Sequence, residues 1–209
     1  MKCKKFLALV MSAVLSVSML TACGGGGSGV SGSLDLNKVD NLLESAGSDI
    51  NVEKNNKLDD AVRDAAERIV STGSTSGADR VVSNAMHWSL TNFVGSAWND
   101  FVNSGGVMGV DLAYGRTFII EESRLESNSG AGILGAINEN SNLINKLRPI
   151  NTPEAFAAAQ VLIVDGSVGR LQDLTNNAIR FTYNVSAKKA TTKNDTYWVI
   201  AAQITAHVL

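Results

Sequence analysis

From Leu36 onward, apolar residues recur at intervals of three and four: Leu36, Val39, Leu43 and Ala46, with Leu42 alongside and Gly47 at the end. This spacing predicts an amphipathic helix stopped by a glycine. A second helix is predicted where Leu58, Ala61, Val62, Ala65 and Ile69 share a face, with Asp59 and Asp60 in the first turn, Arg68 near the end and Gly73 closing it. Acid early and base late suit the helix dipole. Asp59 with Arg63, and Asp64 with Arg68, are spaced as i,i+4 pairs on a solvated face. A longer helix is expected after Asp79, its stripe running through Val82, Ala85, Met86, Leu90, Phe93, Val94, Ala97, Trp98 and Phe101 to Gly105 and Gly106. Residues 116–126 read as a strand with a charged tail, in which Glu122, Arg124 and Glu126 would share one face. A fourth helix takes Ile133, Leu134, Ile137, Leu143, Ile144 and Leu147 and ends before Pro149. Thr152 and Pro153 read as N-cap and first helical position, opening a short helix that merges into an apolar run at 161–164 with strand character.

The strongest β signal lies in the last forty or so residues. Ile179, Phe181, Tyr183, Val185 and Ala187 alternate with Arg180, Thr182, Asn184, Ser186 and Lys188, as a half-buried strand requires. After a polar loop around Lys193, Asn194 and Asp195, alternation resumes through Trp198, Ile200, Ala202, Ile204, Ala206 and Val208. The two runs predict an antiparallel C-terminal hairpin, and the whole pattern predicts an α+β fold.

The first residues tell a different story. Lys2, Lys4 and Lys5 precede an uncharged apolar stretch over residues 6–20. About 15 apolar residues are short for a membrane span, which needs about 20, and are the usual size for a secretory signal. Leu20, Thr21, Ala22 and Cys23 follow, and they resemble the lipobox of bacterial lipoproteins, in which the cysteine receives the lipid. The expected organisation is therefore a signal peptide over 1–22, the lipidated Cys23 and a Gly/Ser linker over 23–33, and a single domain over 34–209. About ten such linker residues have an r.m.s. reach of roughly 17 Å. The expected location is the outer face of the bacterial cytoplasmic membrane, reached through the acyl anchor.

Processing also changes the composition. The chain carries 18 Lys and Arg against 20 Asp and Glu; three of those lysines leave with the signal, so the net charge moves from −2 to −5. Such a chain has no electrostatic footprint for nucleic acid and no polybasic patch for anionic lipid. Cys3 leaves with the signal and Cys23 is acylated, so disulfides, thiolate metal sites and cysteine nucleophiles are excluded from the mature domain.

Two stretches carry a family resemblance. Leu36-Asn37-Lys38-Val39-Asp40-Asn41-Leu42-Leu43, continuing through Leu58-Asp59-Asp60-Ala61 to Ala65-Ala66-Glu67-Arg68, resembles the opening of bacterial CAP (SCP-like, cysteine-rich secretory protein) domains. The stretch Thr196-Tyr197-Trp198-Val199-Ile200 is similar to their closing strand. The resemblance implies a three-layer α-β-α sandwich with an antiparallel sheet. It also implies a cleft with two histidines and two acidic residues. His87 would stand for the first histidine and Glu121 or Glu122 for an acid, but Asn142 stands where the second histidine belongs. The tetrad is incomplete, which favours a degenerate member that binds rather than catalyses.

The remaining chemistry is sparse. His87 sits at the edge of the third helix's apolar stripe, and its neighbour Trp88 points to the side that should be polar, either packed under a loop or lining a groove. His87, Trp88, Glu121 and Glu122 form the candidate ligand groove. His207 falls on the Gln203 and Thr205 face of the final strand, read as solvent-exposed. Gly130, Gly132 and Gly135 match a dinucleotide-binding spacing, but the preceding segment is too charged for a central parallel strand and Arg148-Pro149 follows the helix where a strand should begin. No cofactor and no metal are expected, no catalytic residue is assigned, and no G-x-S-x-G elbow is present. The leading reading is a surface-anchored lipoprotein with a non-catalytic domain that binds an envelope ligand or partner. An envelope hydrolase using His87 with Glu121 or Glu122 is one alternative. A structural or assembly protein of the envelope is the other.

Overall fold

The computed structural model describes residues 28–88, 112–127, 140–174 and 179–208, with the side chains of 168–174, 179 and 208 left aside. Its centre is a five-stranded sheet of β1 (Gly29–Ser31), β2 (Val52–Glu53), β3 (Leu112–Glu121), β4 (Ile179–Thr191) and β5 (Thr196–Val208). The path runs β1-β4-β5-β3, and β2 also pairs with β4. The predicted hairpin is the spine of the sheet: β4 and β5 pair antiparallel along their whole length, from Ile179 opposite Val208 to Thr191 opposite Thr196. Strand β3 lies antiparallel on the far side of β5. On the outer side of β4, β1 pairs antiparallel with residues 189–191. β2 pairs parallel with Tyr183 and Asn184, so the sheet departs from the antiparallel expectation at this short segment.

Helices cover both faces, giving an α+β fold in three layers. One face packs Ala190, Val199 and Ala201 beneath α2 (Asn56–Thr72) and α3 (Ala78–Met86), through Leu58, Val62, Ile69, Val82 and Met86. The other packs Ile200, Ala202 and Ile204 beneath α1 (Leu36–Ala46) and α6 (Pro153–Leu174), through Val39, Leu43, Phe156 and Leu162. Two short helices, α4 (Glu122–Glu126) and α5 (Ser141–Lys146), sit beside this second layer.

The ends of α1 and α2 fall where the sequence predicts them. Asp35 caps α1 by accepting from the Lys38 amide, and Asn55 caps α2 by accepting from the Leu58 amide. Gly47 and Gly73 close these helices with left-handed backbone, which lets their amides reach back to the orphan carbonyls of the last turn.

Four expectations are corrected. Residues 161–164 are not a strand: a single helix runs from Pro153 to Leu174, with Thr152 capping it at the Ala155 amide. Ala155 through Val164 are all buried, so no polar stripe marks the helical period, and a short apolar run alone does not distinguish strand from helix. The third helix stops at Met86, far short of Phe101, and residues 89–111 lie outside the described residues. The charged tail of β3 folds into α4, so Glu122, Arg124 and Glu126 do not share a strand face. Finally, the domain begins before residue 34, because Gly29, Val30 and Ser31 belong to the sheet. Cys23 and the glycines at 130, 132 and 135 lie outside the described residues.

Candidate functional site

His87 ends α3. Its backbone is left-handed at φ 54°, and it alone among the described non-glycine residues has a positive φ. Its amide bonds to the Asn84 carbonyl and that of Trp88 to the Ser83 carbonyl, at 3.3 and 3.1 Å, the paired contacts of a Schellman close. The reversal leaves the His87 side chain exposed and redirects Trp88 onto the sheet. The indole lies over Gly115 of β3, where a Cβ would overlap ring carbons Cε2 and Cζ2 and come within 2.7 Å of the Ala202 carbonyl oxygen. Its Nε1 donates to Gln203 Oε1 at 2.8 Å. Trp88 therefore packs, and glycine at 115 is what makes room for it.

Glu121 and Glu122 lie elsewhere. Glu121 is the last residue of β3, opposite Tyr197, and accepts from the Ser123 hydroxyl at 2.6 Å. It is six residues beyond Gly115, about 20 Å along a strand. Burial, then the Asp195 carboxylate and Glu121, push the Tyr197 phenol above its ordinary value. Glu122 turns to the other face, pairing with Lys189 Nζ at 2.6 Å and accepting from Trp198 Nε1 at 3.2 Å. Lys189 in turn stands 6.0 Å over the Trp198 ring. The four candidate residues are thus dispersed over two faces and a long stretch of the sheet, and no single groove holds them. The hydrolase alternative loses its geometry with them, since a base must lie within hydrogen-bond or one-water reach of its partner. Asn142, at the missing histidine's position, lies in α5.

What the structure does assemble is a row of polar side chains beneath α2 and α3. Gly115, Gln203, Asn184 and Glu53 stand side by side on β3, β5, β4 and β2. Trp88 donates to Gln203, whose Nε2 donates to Thr205 at 2.9 Å and to Asn184 at 3.4 Å. Asn184 donates to the Glu53 carbonyl and accepts from Asn55, the N-cap of α2. Gln203 and Thr205 are buried, so the face read as solvent-exposed is an interior one. His207, at its end, is half-buried and hydrogen-bonds Thr182 at 2.9 Å.

Beside this row is a cleft of about 270 Å³ in the notch between β1 and β2, where residues 185–188 of β4 have neither strand as a neighbour. Leu34, Leu36, Asn55, Asp59, Ser186 and Lys188 help to line it. Asp59 does not make the i,i+4 pair expected of it: it accepts from Ser186 at 2.8 Å and pairs with Lys188 at 3.1 Å. Arg63 turns instead to Asp60 at 2.8 Å and Glu67 at 3.9 Å. Burial pushes the Asp59 carboxyl up, but the Ser186 hydrogen bond, Lys188 and Arg63 outweigh it and hold it below its ordinary value.

On the opposite face, Asp165 of α6 accepts from the Tyr183 hydroxyl at 2.5 Å and from Asn140 at 2.7 Å. Sequence reasoning assigned Tyr183 to the core and gave Asp165 and Asn140 no role, because nothing in their spacing joins residues so far apart in the chain. The polar row had a signal: Asn184 and Ser186 on one strand face Gln203 and Ala201 on the other, which a hairpin register would have aligned.

No family model, curated protein or solved structure matches this chain. The likeness to CAP domains rests on the residues quoted above. Among the described residues, no group of three or more His, Cys, Asp or Glu is placed to hold a metal ion.

Proposed function

We propose that this chain is a bacterial envelope lipoprotein, held at the outer face of the cytoplasmic membrane through a lipid on Cys23, whose CAP-like domain binds an envelope ligand or partner without turning it over. The observation that carries the anchor is the order of basic residues, uncharged apolar run and Leu20-Thr21-Ala22-Cys23. A signal and a lipid explain that apolar stretch, and no described helix is long and apolar enough to cross a membrane. What supports binding over catalysis is that the polar side chains beneath α2 and α3 are engaged with one another, while His87 and the two glutamates stand apart. What supports a CAP-like domain is the likeness of the opening helices and closing strand, carried on a three-layer α-β-α arrangement. The notch between β1 and β2 is the proposed seat of the ligand.

Metabolic labelling with a fatty acid tests the anchor. Label is expected on the wild-type chain and absent from Cys23→Ser, which should move from the membrane fraction to the soluble one. Unlabelled wild-type chain would end the proposal. Equilibrium dialysis with zinc and calcium tests the domain: stoichiometric binding abolished by His87→Ala would replace this reading with an intact metal site.

A further inference from the structure

Strand β1 fixes where the tether meets the domain. Gly29 pairs with Thr191, the last residue of β4, immediately beside the β4–β5 turn at 192–195. The linker expected to run to residue 33 is therefore shortened: from Cys23 to Gly29 there are six Cα steps, about 22 Å when fully extended. Strand β4 continues from Thr191 to Ile179 at the opposite end of the sheet, a length of about 40 Å. A pose with that opposite end on the bilayer and the turn facing away would need a tether about twice as long as the one available.

We infer that the β4–β5 turn is the membrane-proximal end of the domain, and that the opposite end, where Arg180 stands beside His207, is held away from the lipid surface. This rests on the lipid anchor proposed above. Charge at the proximal end gives the bilayer no second grip. Glu122 and Lys189 neutralise each other at 2.6 Å. At the turn itself Glu121, at the end of β3, and Asp195 stand with Lys193, so anionic headgroups meet no cluster of positive charge there. What excludes the inverted pose is the short attachment at Gly29.

Energy transfer tests it. The only native cysteines are Cys3, in the signal, and Cys23, so a cysteine introduced at the exposed Lys193 or Arg180 is the single free thiol of the lipidated chain. The full chain, purified with its lipid, is placed on phosphatidylcholine vesicles whose headgroups carry an acceptor. A donor on Lys193→Cys is expected to transfer at least about twice as efficiently as one on Arg180→Cys, given the length of the strand between them. Equal or reversed efficiencies would overturn the orientation. Inserting about 15 Gly and Ser residues after residue 27 should erase most of the difference, and a difference that persists undiminished would show that the tether does not set the pose. Partitioning separates the two readings. If Cys23→Ser abolishes vesicle binding while the two labels report equal transfer, the orientation alone falls. If the wild-type chain binds vesicles no better than Cys23→Ser, the anchor falls and the orientation with it.

Discussion

One sheet is sealed in two ways. Its α1 and α6 face is closed by apolar packing, with Phe156, Leu162, Ile200 and Ile204 fully buried. Its α2 and α3 face is closed partly by hydrogen bonds, with Trp88 and Asn55, at the ends of α3 and α2, joined through Gln203 and Asn184 of the sheet. Among the described residues, each face also buries one glutamine. Gln203 has both amide atoms bonded, whereas Gln160 of α6, with no exposed surface, has neither bonded. The comparison teaches that a buried amide is an asset or a burden according to its partners, since a buried polar group left unpaired costs about 1–3 kcal/mol.

Breaking the apolar face should cost most. Leu162→Ala removes a fully buried side chain and is expected to lower unfolding stability by about 2–5 kcal/mol, read from the denaturant midpoint. On the polar face, Gly115→Ala forces a methyl into the Trp88 ring and should cost about 1–3 kcal/mol, with a change in tryptophan fluorescence as the indole is displaced. The two glutamines sharpen the contrast, because the same substitution should act with opposite signs. Gln203→Met strands Trp88 Nε1 and should destabilise by about 1–3 kcal/mol, whereas Gln160→Met removes an unpaired amide and should raise the melting temperature. Equal signs would mean the two faces are not sealed differently.

Asp59→Asn is the mildest of the set. Asp59 is about a third exposed, so its pairing with Lys188 is screened and worth about 0–1 kcal/mol near neutral pH. Its signature is in acid. A carboxyl held below its ordinary value in the folded state stabilises above the unfolded value of 3.8, and that contribution is lost as pH falls through the folded value. The wild type should therefore lose more stability than Asp59→Asn below about pH 4 in a pH series of denaturation curves.

The same contrast explains what could be read from the sequence. Helices α1 and α2 each bury one stripe and expose another, so their period, caps and closing glycines were legible down to Gly47 and Gly73. Helix α6 is buried around Ala155 to Val164, and burial on all sides erased the period that would have marked it as a helix. The hairpin was legible as two strands. Its polar face reads as solvated from the sequence because alternation shows which residues differ, not whether the second face meets water or another layer. The candidate groove failed for a related reason. Trp88 was placed by extending α3, and a left-handed turn at a histidine gives no signal comparable to a glycine. The Asp165, Tyr183 and Asn140 contacts depend on tertiary proximity alone.

The placement of β1 also has a mechanical side. A force applied to the chain ahead of Gly29 enters the fold at three residue pairs on the end of β4, just before Gly32 turns the chain off the sheet toward α1. Val208 lies at the opposite end of the same sheet, so stretching between Gly29 and Val208 loads those pairs in shear, all at once. Because β1 already lies extended along that pull, its release should register in single-molecule extension as an early drop in force with little gain in length, ahead of the main rupture of the hairpin. The fold would then yield first at β1 and keep its layers closed under a modest pull.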